Sequence, residues 1–166
     1  MILLEGEKVI LRSVDMSDID TILLWENSSA EPLYGVYEEQ FSREDVVQFI
    51  ENQTLYPIAQ TEQLRLMICS HTGERLGAID LSEYDGETAG VSILIFDVDN
   101  RRKGFAHNAL QLTIEYANKI GLHTLYATIH PKNQASIQLF KKAGFEPKGE
   151  KWELRVENCQ LLPTHY

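Results

Sequence analysis

The segment that decides the fold covers residues 94–106 and reads Leu-Ile-Phe-Asp-Val-Asp-Asn-Arg-Arg-Lys-Gly-Phe-Ala. Its first residues continue an apolar run that begins at Val91, and a run that is apolar on both faces is typical of a strand buried between two layers. Its last residues open a stripe of apolar side chains at helical spacing over residues 103–120. The segment therefore predicts a buried strand, a short loop and a helix.

The loop of this segment has the features of an anion-binding site. The first turn of a helix carries backbone N–H groups without intrahelical acceptors, at the positive end of the helix dipole. Three cations, Arg101, Arg102 and Lys103, stand in front of it, and Gly104 and Ala106 would let a ligand approach the backbone closely. The alternative is a basic helix start that is merely solvated. Neither G-x-x-x-x-G-K-[ST] nor G-x-G-x-x-G occurs, so common nucleotide folds are not indicated.

The flanking segments predict a mixed α/β sheet. Downstream, a β-rich run over 122–129 precedes a helix that Asn133 can cap and Gly144 can end. The order strand, helix, strand, helix requires parallel pairing through a right-handed crossover. Upstream, apolar runs over 63–70 and 75–82 flank a turn that contains glycine, which predicts an antiparallel hairpin.

The amino-terminal part predicts a strand followed by two helices. Residues 7–14 are β-rich, and Asp15 or Ser17 can cap the helix that follows. Residues 27–40 contain proline and glycine and predict a loop, and Ser42 begins a capping box for the second helix. Neither a repeat nor a linker interrupts the chain, so we expect one domain over residues 1–166.

Composition and charge exclude several classes of function. The 166 residues are 43% hydrophobic and carry a formal net charge of −10, so nucleic acid is not an expected partner. No apolar run reaches the roughly 18 residues of a membrane span. The apolar run at the amino terminus is too short for the core of a signal peptide. The two cysteines are far apart, which supports neither a disulfide scaffold nor a metal site and fits a cytoplasmic protein with reduced thiols.

The charge is divided unevenly along the chain. Residues 1–100 hold 5 basic and 20 acidic side chains, whereas residues 101–166 hold 10 basic and 5 acidic ones. One interpretation is that a small polyanion binds the carboxyl-terminal half while a cationic substrate is drawn to the amino-terminal half. The other is that both halves simply present solvated faces.

Two stretches resemble the cofactor motifs of the GNAT superfamily of acetyl-CoA-dependent N-acetyltransferases. Arg101-x-x-Gly104-x-Ala106 is similar to its pyrophosphate loop, and residues 133–145, Asn-x-x-Ser-x-x-Leu-Phe-x-Lys-x-Gly-Phe, are similar to its second motif. The sequence most resembles the branch of ribosomal-protein N-terminal and spermidine acetyltransferases. The resemblance implies the GNAT fold, with a central mixed, mostly antiparallel sheet of about six or seven strands and about four flanking helices.

The resemblance also implies how acetyl-CoA, as co-substrate, would bind. Backbone amides from Arg102 to Ala106 would hold the pyrophosphate, and the main chain of the preceding strand would pair with the pantetheine arm and polarise the thioester carbonyl. The expected cofactor-binding residues are Leu94, Ile95, Phe96, Arg101, Arg102, Lys103, Gly104, Phe105, Ala106, Asn133 and Phe140. Asn133 is equally well explained as a plain helix cap.

The catalytic groups are less well defined. An acceptor amine must lose a proton before it attacks, and His130 and Glu83 are the candidate bases, with Asp80 and Glu87 as further candidates and a water-relayed path as another. Many relatives have a glutamate where this chain has Gly90, and a proton-donating tyrosine where it has Phe140. A bonded strand-end histidine and a solvated loop carboxylate are the structural explanations of His130 and Glu83.

The acceptor wall is expected in the first helix and the loop after it. Glu26, Tyr34 and Tyr37 are the candidate substrate-binding residues, because aromatic faces beside carboxylates suit a cationic amine; Trp25 is expected in the core. The predicted partner is a small-molecule amine such as a polyamine, or a peptide N-terminus, with a homodimer left open. Protein N-terminal acetylation and a CoA-binding sensor without turnover are the alternative functions.

Overall fold

The computed structural model describes residues 1–28 and 40–156, which form one eight-stranded sheet in the spatial order β1-β2-β3-β4-β5-β6-β8-β7. The strands are β1 Leu3–Glu5, β2 Ile10–Ser13, β3 Leu64–Cys69, β4 Arg75–Ser82, β5 Thr88–Ile95, β6 Thr124–Ala127, β7 Glu146–Lys148 and β8 Lys151–Arg155. Every neighbouring pair is antiparallel except β5 and β6, which are parallel. The predicted mixed sheet is therefore confirmed.

Five α-helices accompany the sheet within these described residues: α1 Ile19–Ser28, α2 Arg43–Leu55, α3 Ile58–Thr61, α4 Phe105–Lys119 and α5 Gln134–Lys142. The predicted capping box at Ser42 is present, and Asn133 caps α5 by accepting the Ser136 N–H at 3.1 Å. The sheet has more strands, and the chain more helices, than the sequence predicted. The additional elements are β1, β7 and α3. Each has three or four residues, too few for a recurring pattern of apolar residues to identify it in the sequence.

Two element boundaries differ from the sequence prediction for identifiable reasons. The first long strand begins at Ile10 instead of residue 7, because the Gly6 N–H donates to the Val9 carbonyl at 2.8 Å and closes a turn. Asp15 caps a 3₁₀ turn over Met16–Asp18 in front of α1, so it serves as the cap rather than Ser17.

Apolar side chains fill a separate core on each face of the sheet. On one face α4 and α5 contribute Leu110 and Phe140, which pack with Val91 and Ile95 of β5. On the other face α1 and α2 contribute Trp25 and Ile50, which pack with Met67 and Ala78. Trp25 is 6% exposed and stacks on Phe96 with ring centroids 5.7 Å apart, so its predicted place in the core is confirmed.

A buried carboxylate connects the start of α1 to the sheet. Asp18 is fully buried, and it accepts hydrogen bonds from Arg12 at 2.7 and 2.8 Å and from Arg75 Nε at 2.6 Å. Burial alone would raise the pKa of Asp18, but the hydrogen bonds from Arg12 and Arg75 outweigh it and hold the pKa below its ordinary value of 3.8.

Asp18→Asn is expected to destabilise the protein by about 3 kcal/mol at pH 7, because two guanidinium groups lose their shared partner. A carboxylate whose pKa is lowered by folding stabilises the protein at pH values above its unfolded-state pKa. This stabilisation is lost as the pH falls through the folded-state pKa. The difference between variant and wild type, measured by urea unfolding, should therefore shrink at pH 3. Asp20→Asn, which affects an exposed pair with Arg43, is the control. A difference that does not depend on pH would contradict this account.

Candidate active site

The parallel strands β5 and β6 separate after three residue pairs and leave a fork in the sheet. The paired residues are Thr88 with Thr124, Ala89 with Leu125 and Gly90 with Tyr126. Beyond Gly90, β5 continues to pair with β4, whereas β6 pairs with β8. The six residue steps from Gly90 to Phe96 span about 20 Å of this open edge. The fork can therefore hold an extended chain-like ligand along β5.

The hydrogen-bond pattern identifies which peptide groups of β5 face the fork. The Phe96 N–H donates to the Leu76 carbonyl of β4, and a β-carbon built on Gly77 would lie 1.9 Å from the Leu94 carbonyl oxygen. The Leu94 carbonyl and the Phe96 N–H are thus directed toward β4. Because successive residues alternate, Ile93 and Ile95 present their peptide groups to the fork. Of the three predicted pairing residues, only Ile95 faces it, and Ile93 was not foreseen.

Gly77→Ala tests how closely β4 and β5 approach. The added methyl group would meet only backbone atoms, Leu94 O at 1.9 Å and Leu94 C at 2.9 Å, so the two strands would have to move apart. We expect a loss of about 3 kcal/mol and a thermal midpoint about 10 °C lower. Gly90→Ala is the matched control, because its methyl group would meet side-chain atoms of Ser82 and Tyr126 at 3.1 Å, and no backbone atom is among its nearest neighbours. Equal midpoints for the two variants would refute the strand contact.

The loop between β5 and α4 forms a concave run of backbone. Gly104, at φ +85°, precedes the first turn of α4 and supplies no side-chain cap, and Arg102 also lies in the left-handed region, at φ +62°. Phe105 and Ala106 then open the helix with N–H groups pointing out of its first turn. This arrangement suits a diphosphate, as the sequence predicted.

The cations of this loop have different surroundings. The Arg101 guanidinium donates from Nε to the Ile95 carbonyl at 3.0 Å, so the side chain braces the loop against the end of β5. Arg102 and Lys103 are exposed. Only the last two cations therefore have side chains free to turn toward a bound anion.

The face of the sheet that carries α1 and α2 is open beside the fork. Ser92 is exposed although it lies in the middle of a central strand. Next to it, Arg65 donates to both oxygens of Asp80 at 2.8 Å and to Glu26 at 2.7 Å, and its guanidinium lies 5.0 Å from the ring centroid of Phe49. The predicted acceptor residue Glu26 is thus held beside the open face. The predicted Tyr34 and Tyr37 lie outside the described residues.

Glu83 lies at the base of the fork on this open face. Its carboxylate accepts a hydrogen bond from the hydroxyl of Tyr126, whose ring would meet a β-carbon on Gly90. That hydrogen bond, together with burial, raises the pKa of Tyr126 to about 12, so the hydroxyl stays a donor at neutral pH. Glu83 also has a left-handed backbone, at φ +51°, a strained conformation that often marks functional residues.

His130 is exposed and bonded to backbone. Its Nδ1 accepts the Lys132 N–H at 3.1 Å, which engages the lone pair that a general base would use. Asp80 has both oxygens occupied by Arg65. Of the three carboxylates that the sequence offers as candidate bases, Glu83 alone combines a position at the fork with an orienting hydrogen bond. Glu87 lies in the turn before β5.

The second cofactor motif, residues 133–145, follows β6, which is the other strand of the fork. Asn133 uses its side chain to cap α5, and Phe140 is 4% exposed and packs edge-to-face on Phe145 with ring centroids 5.0 Å apart. The side chain of Phe140 therefore belongs to the core, and its predicted cofactor contact finds no support in this packing.

Sequence analysis missed three residues of the open face. Arg65 and Ser92 each interrupt an apolar strand with a polar side chain, a signal that could have identified them. Tyr126 gave no such signal, because aromatic residues are common in strands. Of the described residues, no group of three or more is arranged to hold a metal ion, and none of the helices among them is long and apolar enough to cross a bilayer.

Comparison with known proteins gives consistent matches. A family model described as an acetyltransferase (GNAT) domain matches residues 8–146. The spermidine N(1)-acetyltransferase of Escherichia coli (strain K12) is 25% identical over 148 residues, which cover 87% of this chain and 76% of that protein.

Two solved structures show the same fold. Spermidine N-acetyltransferase from Vibrio cholerae, in complex with CoA and spermine, has a TM-score of 0.75 at 17% identity and covers 89% of this chain and 95% of that chain. Ribosomal-protein-S5-alanine acetyltransferase from Vibrio fischeri has a TM-score of 0.76 at 17% identity, with coverage of 95% and 98%.

Proposed function

The chain belongs to the GNAT acetyltransferase family, and from this premise we propose that it transfers an acetyl group from acetyl-CoA to a primary amine that carries further positive charge. The observation that carries the choice of acceptor is the charge of the open face. Among the described residues, three carboxylates, Glu26, Asp80 and Glu83, lie there against two cations. The cations are Arg65 and Lys151, whose Nζ lies 4.3 Å from the ring centroid of Tyr126. An excess of carboxylates attracts a polycationic amine and disfavours an anionic acceptor.

The fork and the loop fit the cofactor. The backbone N–H groups at Gly104, Phe105 and Ala106 would hold the diphosphate, and the peptide groups of Ile93 and the N–H of Ile95 would hold the extended pantetheine arm. Acetyl-CoA supplies the acyl group as an activated thioester. With its diphosphate at the loop, the arm would run back along β5 toward Gly90, so the acyl group would lie near the base of the fork.

The residues of the open face would prepare the amine. A primary amine has a pKa near 10 in water and is protonated at neutral pH, so it must lose a proton before it can attack a carbonyl carbon. We infer that Glu83 takes that proton, because its carboxylate lies at the base of the fork and is oriented by Tyr126. Glu26 and Asp80, both fixed by Arg65, would attract the remaining positive charge of the acceptor.

An amine panel tests the proposed acceptor class. Release of free CoA thiol is measured with spermidine, with a neutral-tailed monoamine of similar length, and with a peptide whose only amine is its N-terminus. We expect the highest kcat/KM with spermidine, in keeping with the spermidine acetyltransferases among the matched proteins. A preference for the peptide would favour the protein N-terminal alternative. CoA binding without release for any amine would favour the sensor.

A charge variant separates selectivity from catalysis. Glu26→Gln is expected to raise KM for spermidine while it leaves the monoamine nearly unaffected, because only the polyamine carries a distant second charge. Glu115→Gln removes the same charge from α4, on the other side of the sheet, and is the control. Equal effects of Glu26→Gln on both amines would remove Glu26 from the acceptor site.

A further inference from the structure

Lys8 differs from every other cation of the acidic half of the chain. Residues 1–100 contain five basic side chains. Four of them form salt bridges with carboxylates: Arg12 and Arg75 with Asp18, Arg43 with Asp20, and Arg65 with Glu26 and Asp80. Among the described residues, Lys8 has no carboxylate partner. Its charge is therefore available to an anion from solution.

The side chain of Lys8 is held at the loop that precedes α4. Its Nζ donates to the Lys103 carbonyl at 3.0 Å, and a β-carbon built on Gly104 would lie 2.7 Å from the same nitrogen. The backbone is fixed as well, since the N–H groups of Lys8 and Val9 donate to Asn108 Oδ1 at 2.8 and 3.1 Å. A residue 95 positions away in sequence is thus brought to the predicted diphosphate loop.

The position is electrostatically unfavourable without an anion. The amino end of a helix carries partial positive charge, so a cation held there is repelled, and Arg102 and Lys103 add to that repulsion. Burial lowers the pKa of the nearby His107, and the positive charges of Lys142 and Lys8 lower it further. A bound phosphate group would attract Lys8, Arg102 and Lys103 and so offset their mutual repulsion.

We propose that Lys8 is a phosphate-binding residue of the cofactor site, which rests on the proposed function. An ammonium group has three N–H donors. The Lys103 carbonyl accepts from one of them, which leaves two to donate to phosphate oxygens beside the backbone amides of the loop. Lys8 and the loop then bind phosphate groups of the same cofactor molecule.

Calorimetric titration of CoA into Lys8→Gln tests the inference. We expect the dissociation constant to rise about tenfold, because one charge-assisted hydrogen bond is lost. In Lys8→Arg it should return close to the wild-type value. Lys119→Gln removes the same charge from the last turn of α4 and should bind CoA normally. Thermal midpoints of all variants show whether the fold is retained.

The choice of ligand identifies the phosphate. If Lys8→Gln weakens CoA but not 3′-dephospho-CoA, Lys8 contacts the 3′-phosphate; if it weakens both, Lys8 contacts the diphosphate. Equal affinity of wild type and Lys8→Gln for CoA would overturn the inference and leave the proposed function intact. Failure of the wild type itself to bind CoA would overturn both.

Discussion

Gly104→Asp is expected to weaken CoA binding about 100-fold, measured by isothermal titration calorimetry. The new carboxylate would lie where the diphosphate is expected, and its β-carbon would lie 2.7 Å from Lys8 Nζ. The new carboxylate would then pair with the Lys8 ammonium and repel the phosphate oxygens. The left-handed backbone at φ +85° adds strain that any L side chain would suffer.

Gly121→Asp separates this electrostatic effect from strain. Gly121 follows α4 at its other end, has φ +90°, and has open space around the position of a β-carbon. The variant therefore introduces the same charge and the same kind of backbone strain about 26 Å away along the helix. It should lose some stability and bind CoA like wild type. Unchanged affinity in Gly104→Asp would contradict the assignment of the loop to the diphosphate.

Glu83→Gln is expected to lower kcat/KM about 100-fold with the preferred amine, because the variant can hold the amine in place but cannot take its proton. Stopped-flow or steady-state thiol release measures the loss, and CoA affinity should stay the same. The pH–rate profile of the variant should differ from that of the wild type, because the group that takes the proton is lost. Tyr126→Phe, which leaves the carboxylate but removes its orienting donor, should give an intermediate loss.

His130→Gln is the comparison that decides between the two bases predicted from the sequence. Nδ1 of His130 already accepts the Lys132 N–H, so we expect nearly normal kcat/KM and a normal pH profile. A large loss in His130→Gln with normal Glu83→Gln would reverse the assignment. Normal profiles in both variants would remove both residues and favour proton transfer through water.

Much of the fold could be predicted because its signals are local. Helix periodicity and the residues Ser42, Asn133 and Gly121 identified the long helices and their ends, and the hairpin between β3 and β4 followed from two apolar runs around a glycine turn. The three-residue strands at the two edges of the sheet could not be predicted. Their pairing depends on neighbours distant in sequence and not on their own pattern.

The candidate site could be predicted where one continuous segment builds it. The loop from Arg101 to Ala106 is such a segment, and its geometry agrees with the expectation from its glycine and its cations. The open face, in contrast, joins α1, β3, β4 and β6 through Arg65 and Tyr126. Sequence spacing does not predict contacts between residues that are distant in sequence. The structure was therefore needed to show which carboxylates form salt bridges.

In the proposed assignment, the two cores, one on each side of the sheet, separate the residues that recognise the acceptor amine from those that support the acetyl-CoA site. Substitutions among the side chains of α1 and α2 repack one layer, while α4 and α5 keep the other layer in place. Selection can therefore remodel which molecule is modified without rebuilding the machinery that carries the acyl donor. This modularity gives a physical reason why one architecture can diversify toward many acceptors while its chemistry stays the same.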